Sequence, residues 1–174
     1  MPSRSYTSRS EFEQYRFSPL VTVAVPFVLI LIQAYVPVIF PRLLILDLPL
    51  IAVIFFAVAR RNPVLGAITG AVIGLLQDAL TGQHIGINGM AKTIIGYAAS
   101  SIGLQVDVEN ITTRILMNFG FSILQSALLF LIERYLLGLS AYKVLWLHEL
   151  YRACFNTAAA IPIFLLLDRT KRRE

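Results

Sequence analysis

Few residues in this chain are of a type that does chemistry, and their spacing assembles no catalytic site. The sequence holds two histidines, His84 and His148, and one cysteine, Cys154. No two of them have the spacing of metal ligands. A glycine-rich phosphate loop ending in Lys-Ser or Lys-Thr is absent, as is a Gly-x-Ser-x-Gly nucleophile motif. We therefore predict that the protein is not an enzyme and that it uses no cofactor and no metal.

Asp78 and Lys92 are the charged residues that most need explaining, because each lies within an apolar stretch. A carboxylate at membrane depth costs about 2.5–3.5 kcal/mol on insertion scales, so it should have a partner or reach water. An antiparallel hairpin about residues 82–86 would bring Asp78 and Lys92 to similar depth, which favours an ion pair. In the alternative, Asp78 caps backbone in the turn and Lys92 extends outward to water.

Two further sets of polar residues each share one face of an apolar segment. Glu149 and Arg152 have the i, i+3 spacing of an ion pair. Asn118, Ser122 and Gln125 recur at helical spacing within the preceding apolar stretch. We interpret these side chains as hydrogen-bonding groups between membrane helices. The alternative is that they line a ligand cavity.

The composition identifies the medium in which these residues lie. Apolar residues make up 57% of the 174-residue chain and charged residues only 14%, whereas a soluble domain is about 25% charged. A bilayer core of about 30 Å takes about 20 helical residues to cross. We predict an all-α integral membrane protein with about six transmembrane helices in one bundle. The predicted spans are residues 17–40, 44–59, 64–80, 87–104, 111–137 and 141–167.

Charge predicts how these spans are oriented. We expect residues 1–16 to form a cytoplasmic tail or short interfacial helix, 17–168 the six-helix domain and 169–174 a basic cytoplasmic tail. With both termini in the cytoplasm, ten of the fifteen Lys and Arg residues lie on the cytoplasmic side and three on the outer side. This positive-inside bias predicts a multi-pass inner-membrane protein with both termini in the cytoplasm. The net charge of +5 therefore requires no nucleic acid, and Arg60 and Arg61 are candidates for contacts with filaments or anionic lipid.

A stripe of small residues marks the third span. Gly66, Gly70, Gly74 and Gly82 recur at intervals of four or eight residues, with Asp78 on the same stripe. Small side chains at this spacing let another helix backbone approach closely in a membrane. We predict that the third helix packs inside the bundle through this stripe.

The central motifs, taken in order, resemble the rod-shape-determining MreD family. The resemblance covers about a third of the chain and rests on an aspartate opening the second span, an Arg-Arg-x-Pro end, a Gly-Leu-x-x-Asp segment and a Gly-x-x-x-Gly turn. These elements are Asp47-Leu48-Pro49-Leu50, the segment 56–63 ending in Arg60-Arg61-Asn62-Pro63, Gly74-Leu75-Leu76-Gln77-Asp78, the segment 82–89 and Gly96-Tyr97.

The resemblance implies a fold similar to the substrate-binding subunits of energy-coupling-factor transporters. It also implies a scaffold in lateral wall synthesis that binds the membrane helix of MreC. Indirect partners would be MreB, RodA and its penicillin-binding partner. A second hypothesis is a subunit that captures a vitamin-type small molecule for transport. A polar cavity lined by several of Asp78, Lys92, Glu149 and Arg152 would favour transport, and a dry, filled bundle would favour the scaffold.

Overall fold

The computed structural model is helical throughout the residues that it describes, which are 18–41, 45–106, 110–138 and 146–169. In these ranges it contains six α-helices. They are α1 (Pro19–Ile39), α2 (Leu48–Arg60), α3 (Pro63–Thr81), α4 (Ile87–Gly103), α5 (Ile111–Leu131) and α6 (Trp146–Asp168). A π-helical turn, Ile132–Leu136, extends α5.

Three stretches are long and apolar enough to cross a membrane: α3, α5 with its π-helical extension, and α6. Shorter apolar stretches lie in α1, at Leu20–Tyr35, and in α2. The predicted spans thus coincide with helices in number and position, whereas the six crossings remain a prediction. The predicted tail at residues 1–16 lies outside the described residues, as does nearly all of the tail at 169–174.

The helix boundaries follow from local sequence signals. The Asp47 side chain accepts a hydrogen bond from the Leu50 backbone N–H at 3.0 Å and so caps α2. The helix ends at Arg60, and the next residue, Arg61, has a left-handed φ of 52°. Asn62 then caps α3 and is followed by proline in the first turn, where the missing N–H costs no hydrogen bond.

Helix α2 is the centre of the packing, and each of the other five helices contacts it. Every residue from Pro49 to Ala59 is buried, as expected for a helix that is apolar on all sides. The helices α3 and α4 pack closely as a hairpin. The N-cap residue of this core helix, Asp47, therefore lies in the interior of the protein.

Candidate functional site

The centre of the polar interior is the Asp47 carboxylate. It accepts hydrogen bonds from Lys92 Nζ at 2.9 Å and from the amide nitrogen of Gln125. The Asp47 backbone N–H donates to Asn156 Oδ1 at 2.8 Å. Asp47 is 1% exposed, so these contacts replace water around a buried charge. One residue thus joins α2 to α4, α5 and α6.

The predicted ion pair between Asp78 and Lys92 is wrong. Lys92 pairs instead with Asp47 and also donates to Asn88 Oδ1 at 3.1 Å. Asn88 lies between the two expected partners, because its amide nitrogen donates to Asp78 Oδ1 at 2.8 Å. The alternative for Lys92 is also wrong, since its side chain is fully buried and does not extend to water.

Asp78 caps backbone in the turn, as the alternative interpretation held. It accepts from the Gly86 N–H at 2.8 Å and from the backbone N–H groups of Asn88 and Gly89, both at 3.3 Å. The first N–H groups of a helix lack intrahelical acceptors. Gly86, the residue preceding α4, has no side chain to supply one. A carboxylate from α3 therefore caps α4 and favours the positive end of its dipole.

The glycine stripe of α3 is occupied within the chain by α4. A Cβ atom added at Gly70 would lie 2.0 Å from the carbonyl oxygen of Lys92. One added at Gly74 would lie 2.4 Å from the carbonyl oxygen of Asn88, and Gly66 is equally crowded. These distances leave no room for any side chain, so the stripe positions the α3–α4 hairpin that holds Asp78 and Lys92.

Gly82 does not belong to this contact, contrary to the prediction. Among the residues in the described ranges, no neighbouring atom lies within 4 Å of a Cβ built there, and its φ is +67°. The residue ends α3, and its backbone N–H donates to the Asp78 carbonyl. Glycine is favoured here because it adopts a left-handed conformation without steric cost.

The charged pair on α6 joins the same network. Arg152 Nη1 lies 3.7 Å from Glu149 Oε2, the predicted i, i+3 pair, and Arg152 Nη2 lies 3.7 Å from Asp47 Oδ2. The Ser126 hydroxyl of α5 donates to the Glu149 carboxylate. Arg152 thus connects the buried Asp47 carboxylate to Glu149 in the first turn of α6.

Two of the three polar residues predicted on α5 bond to other helices. Gln125 donates to the central carboxylate, and Ser122 Oγ accepts from Asn156 Nδ2 at 2.8 Å. Asn118 differs, because its amide donates to the Arg114 carbonyl one turn earlier in its own helix. The polar face of α5 therefore packs inward against α2 and α6.

The candidate basic contacts at the opposite end take part in the fold. Arg60 donates to the Thr22 hydroxyl of α1 at 2.9 Å. Arg61 is only 6% exposed. Arg114, in the first turn of α5, forms an ion pair with Asp168, the last residue of α6. Burial opposes a role for Arg61 in binding a filament or lipid, whereas for Arg60 that role stays a prediction.

A cavity of about 650 Å³ lies beside the network, at the end where α2, α4 and α6 begin. Asp47 and Arg152 belong to its wall, but Asp78, Lys92 and Glu149 do not. Within the described ranges, no group of three or more His, Cys, Asp or Glu residues could hold a metal ion. The polar members of the wall are Gln33, Asp47, Gln77, Thr81, Gln83, Asn88, Glu133, His148 and Arg152.

Comparison with protein-family models gives the family of this chain. The family model described as rod shape-determining protein MreD matches residues 14–170. The chain belongs to the MreD family. That family is membrane-associated and consists of shape-determining proteins rather than enzymes. No curated protein and no solved structure matches the chain.

The motifs that carry the MreD resemblance have structural roles in this chain. The aspartate of the second span caps α2 and receives Lys92. The Arg-Arg-x-Pro segment ends α2 and begins α3. The aspartate of Gly-Leu-x-x-Asp caps α4. From the sequence, Asp47 was interpreted as the residue at which the second span begins, and its central position was missed. The only local signal for that position was an acidic cap, followed by proline, on an entirely apolar helix.

Proposed function

We propose that this protein is a non-catalytic membrane scaffold of the bacterial cell-elongation machinery, which directs lateral peptidoglycan synthesis. The observation that carries the proposal is the set of hydrogen bonds that Asp47 makes with Lys92, Gln125 and Asn156. Their polar groups bond to one another across α2, α4, α5 and α6, which suits a rigid support. Membership of the MreD family agrees with this role. The links to MreB, RodA and its penicillin-binding partner are part of the proposal.

The proposed direct partner is the single membrane helix of MreC, and the structure suggests where it binds. The glycine stripe is filled by α4, so the partner requires another surface. A groove of about 280 Å³ between α1 and α6 is lined by apolar side chains alone in the described residues. Ala24 belongs to the groove wall and is small enough for close helix approach. We place the MreC helix in this α1–α6 groove.

Filling the α1–α6 groove is expected to weaken the complex. Ala24→Phe adds a ring where the partner helix would lie, and we expect MreC recovered with the purified chain in mild detergent to fall about tenfold, or about 1.4 kcal/mol. Ala158→Phe is the matched control, because Ala158 is exposed on α6 and outside the groove. If Ala24→Phe left MreC recovery unchanged, the placement would be wrong; bound lipid displaced from the groove instead of MreC would identify a lipid site.

We also propose that the six helices cross the inner membrane with both termini in the cytoplasm. Gln83 and Gln105 then lie on opposite sides, and both are exposed. In a Cys154→Ala background, an impermeant thiol reagent added to intact spheroplasts is expected to label Gln83→Cys at least ten times faster than Gln105→Cys. Labelling in inverted vesicles should show the reverse order. Equal labelling of both positions in spheroplasts would refute the proposed topology.

The transport alternative has one supporting observation, the polar cavity beside Asp47. Of the four charged residues expected to line such a cavity, only Arg152 does so. Asp78 and Lys92 are bonded inside the protein. Glu149 accepts from Ser126. The balance of these contacts favours the scaffold.

A further inference from the structure

We propose that the polar cavity beside Asp47 is a binding site for an uncharged small molecule that carries hydroxyl and amide groups. This property goes beyond the scaffold role and does not require the MreC complex. The cavity volume of about 650 Å³ lies within the range of about 300–1,000 Å³ that ligand sites occupy.

The cavity follows from the length of the central helix. Helix α2 has 13 residues, so it is about 20 Å long at about 1.5 Å per residue. The hydrocarbon core that it must match is about 30 Å thick. Arg60, the last residue of the helix, is charged and half-buried, and in the proposed topology it places that end at the membrane surface. The opposite end, with Asp47, is therefore recessed by about 10 Å, and the cavity occupies the space beyond it.

The cavity wall contains hydrogen-bonding groups without partners. Gln77 is 7% exposed and its buried Oε1 accepts no hydrogen bond from any residue that the structure describes. A buried polar atom in this state costs about 1–3 kcal/mol. Arg152 approaches its two carboxylates only to 3.7 Å and donates no hydrogen bond to a described residue. A ligand that both donates and accepts would satisfy Gln77 and Arg152 together.

The three charged residues of the described wall, Asp47, Glu133 and Arg152, are each engaged in interactions within the chain, which disfavours a charged ligand. Asp47 is neutralised by Lys92 directly behind it, and Arg152 lies between the carboxylates of Asp47 and Glu149. A ligand phosphate or carboxylate would therefore compete with carboxylates for Arg152. Amide side chains fill much of the remaining polar wall, at Gln33, Gln77, Gln83 and Asn88. Amides pair with both hydroxyls and amides, which identifies the ligand class.

N-Acetylglucosamine is a suitable probe, since it is uncharged and carries several hydroxyls and one amide. We expect it to raise the unfolding temperature of the purified full chain in a saturable, millimolar-range titration, because ligand bound only to the folded state stabilises it. Citrate and spermidine, as anionic and cationic comparators, should produce no saturable shift. A saturable shift with either charged compound alone would overturn the assignment of an uncharged ligand.

Variants test whether the stabilisation arises in this cavity. Gln77→Met and Arg152→Met are expected to weaken the apparent affinity for N-acetylglucosamine at least tenfold. Gln105→Met and Arg169→Met are matched controls, because both residues are exposed and outside the cavity wall. Equal affinities in all four variants would overturn the site.

A second measurement does not depend on the stability of those variants. Gln83 is an exposed member of the wall, so Gln83→Cys in a Cys154→Ala background places a thiol in the cavity. Saturating N-acetylglucosamine should slow its alkylation at least fivefold, with no effect on Gln105→Cys. Unchanged alkylation at Gln83→Cys would overturn the proposal, whether or not MreC binds.

Discussion

Replacing Lys92 with methionine is expected to destabilise the folded chain by about 3–5 kcal/mol, because the change leaves the buried Asp47 carboxylate without its ammonium partner. Asp47 is 1% exposed, so little water reaches its carboxylate, and Arg152 at 3.7 Å is too distant to replace the direct contact with Lys92. Methionine retains most of the side-chain volume of lysine, which separates the loss of charge from the creation of a cavity. The unfolding free energy measured by denaturant titration in detergent micelles tests this prediction.

A double variant tests whether the cost lies in the unpaired charge. Asp47→Asn keeps an oxygen that can cap α2 and removes the carboxylate, so Asp47→Asn with Lys92→Met should recover most of the stability lost in Lys92→Met alone. A buried pair replaced as a unit is often nearly neutral. If the two single effects simply added in the double variant, the coupling between Asp47 and Lys92 would be absent.

Gly70→Ala is expected to destabilise the protein strongly through a single added methyl group. Its Cβ would lie 2.0 Å from the Lys92 carbonyl oxygen, a backbone atom that cannot rotate away. The helices α3 and α4 would have to separate, and overpacking of this kind costs about 1–3 kcal/mol or more. Since Lys92 belongs to the displaced backbone, the Asp47 contact should weaken as well. The unfolding temperature of the purified variant measures the effect.

Gly120→Ala is the matched control, since it makes the same chemical change within α5, where no neighbouring atom of the described residues lies within 4 Å of the new Cβ. Alanine restricts the unfolded chain more than glycine does, so this variant should be neutral or stabilised by up to about 1 kcal/mol. Equal stability of Gly70→Ala and Gly120→Ala would show that α3 and α4 do not approach as closely as the structure has them.

The positions of the helices could be predicted because their signals are local. The run of apolar residues between Asp47 and Arg60 is bounded by an acidic cap and a charged, proline-marked end, and α2 occupies Leu48–Arg60. Capping and helix termination depend on residues within about one turn of each boundary. The small-residue spacing of α3 likewise indicated a close helix contact, without identifying α4 as its partner.

The partners of the buried charges could not be obtained in this way. Lys92 lies 45 residues from Asp47 in the chain and only 14 from Asp78, yet Asp47 is its ion-pair partner. Residue spacing gives the depth of a side chain along a hairpin, but it does not give the rotation of each helix about its axis. Rotation determines which side chains face each other, and it depends on the packing of all neighbouring helices at once.

By itself, the sequence determined that this chain is helical and apolar, approximately where its helices lie, and which helix carries a surface for close approach. Only the tertiary structure decided that α4 fills this surface, that Asp78 caps α4, and that a buried Asp47 bonds to Lys92, Gln125 and Asn156 beside a cavity. The physical reason is the distance along the chain over which each kind of interaction acts. Caps and apolar periodicity act within a few residues, but a buried charge takes its partner from whatever distant helix the packing brings within hydrogen-bonding distance.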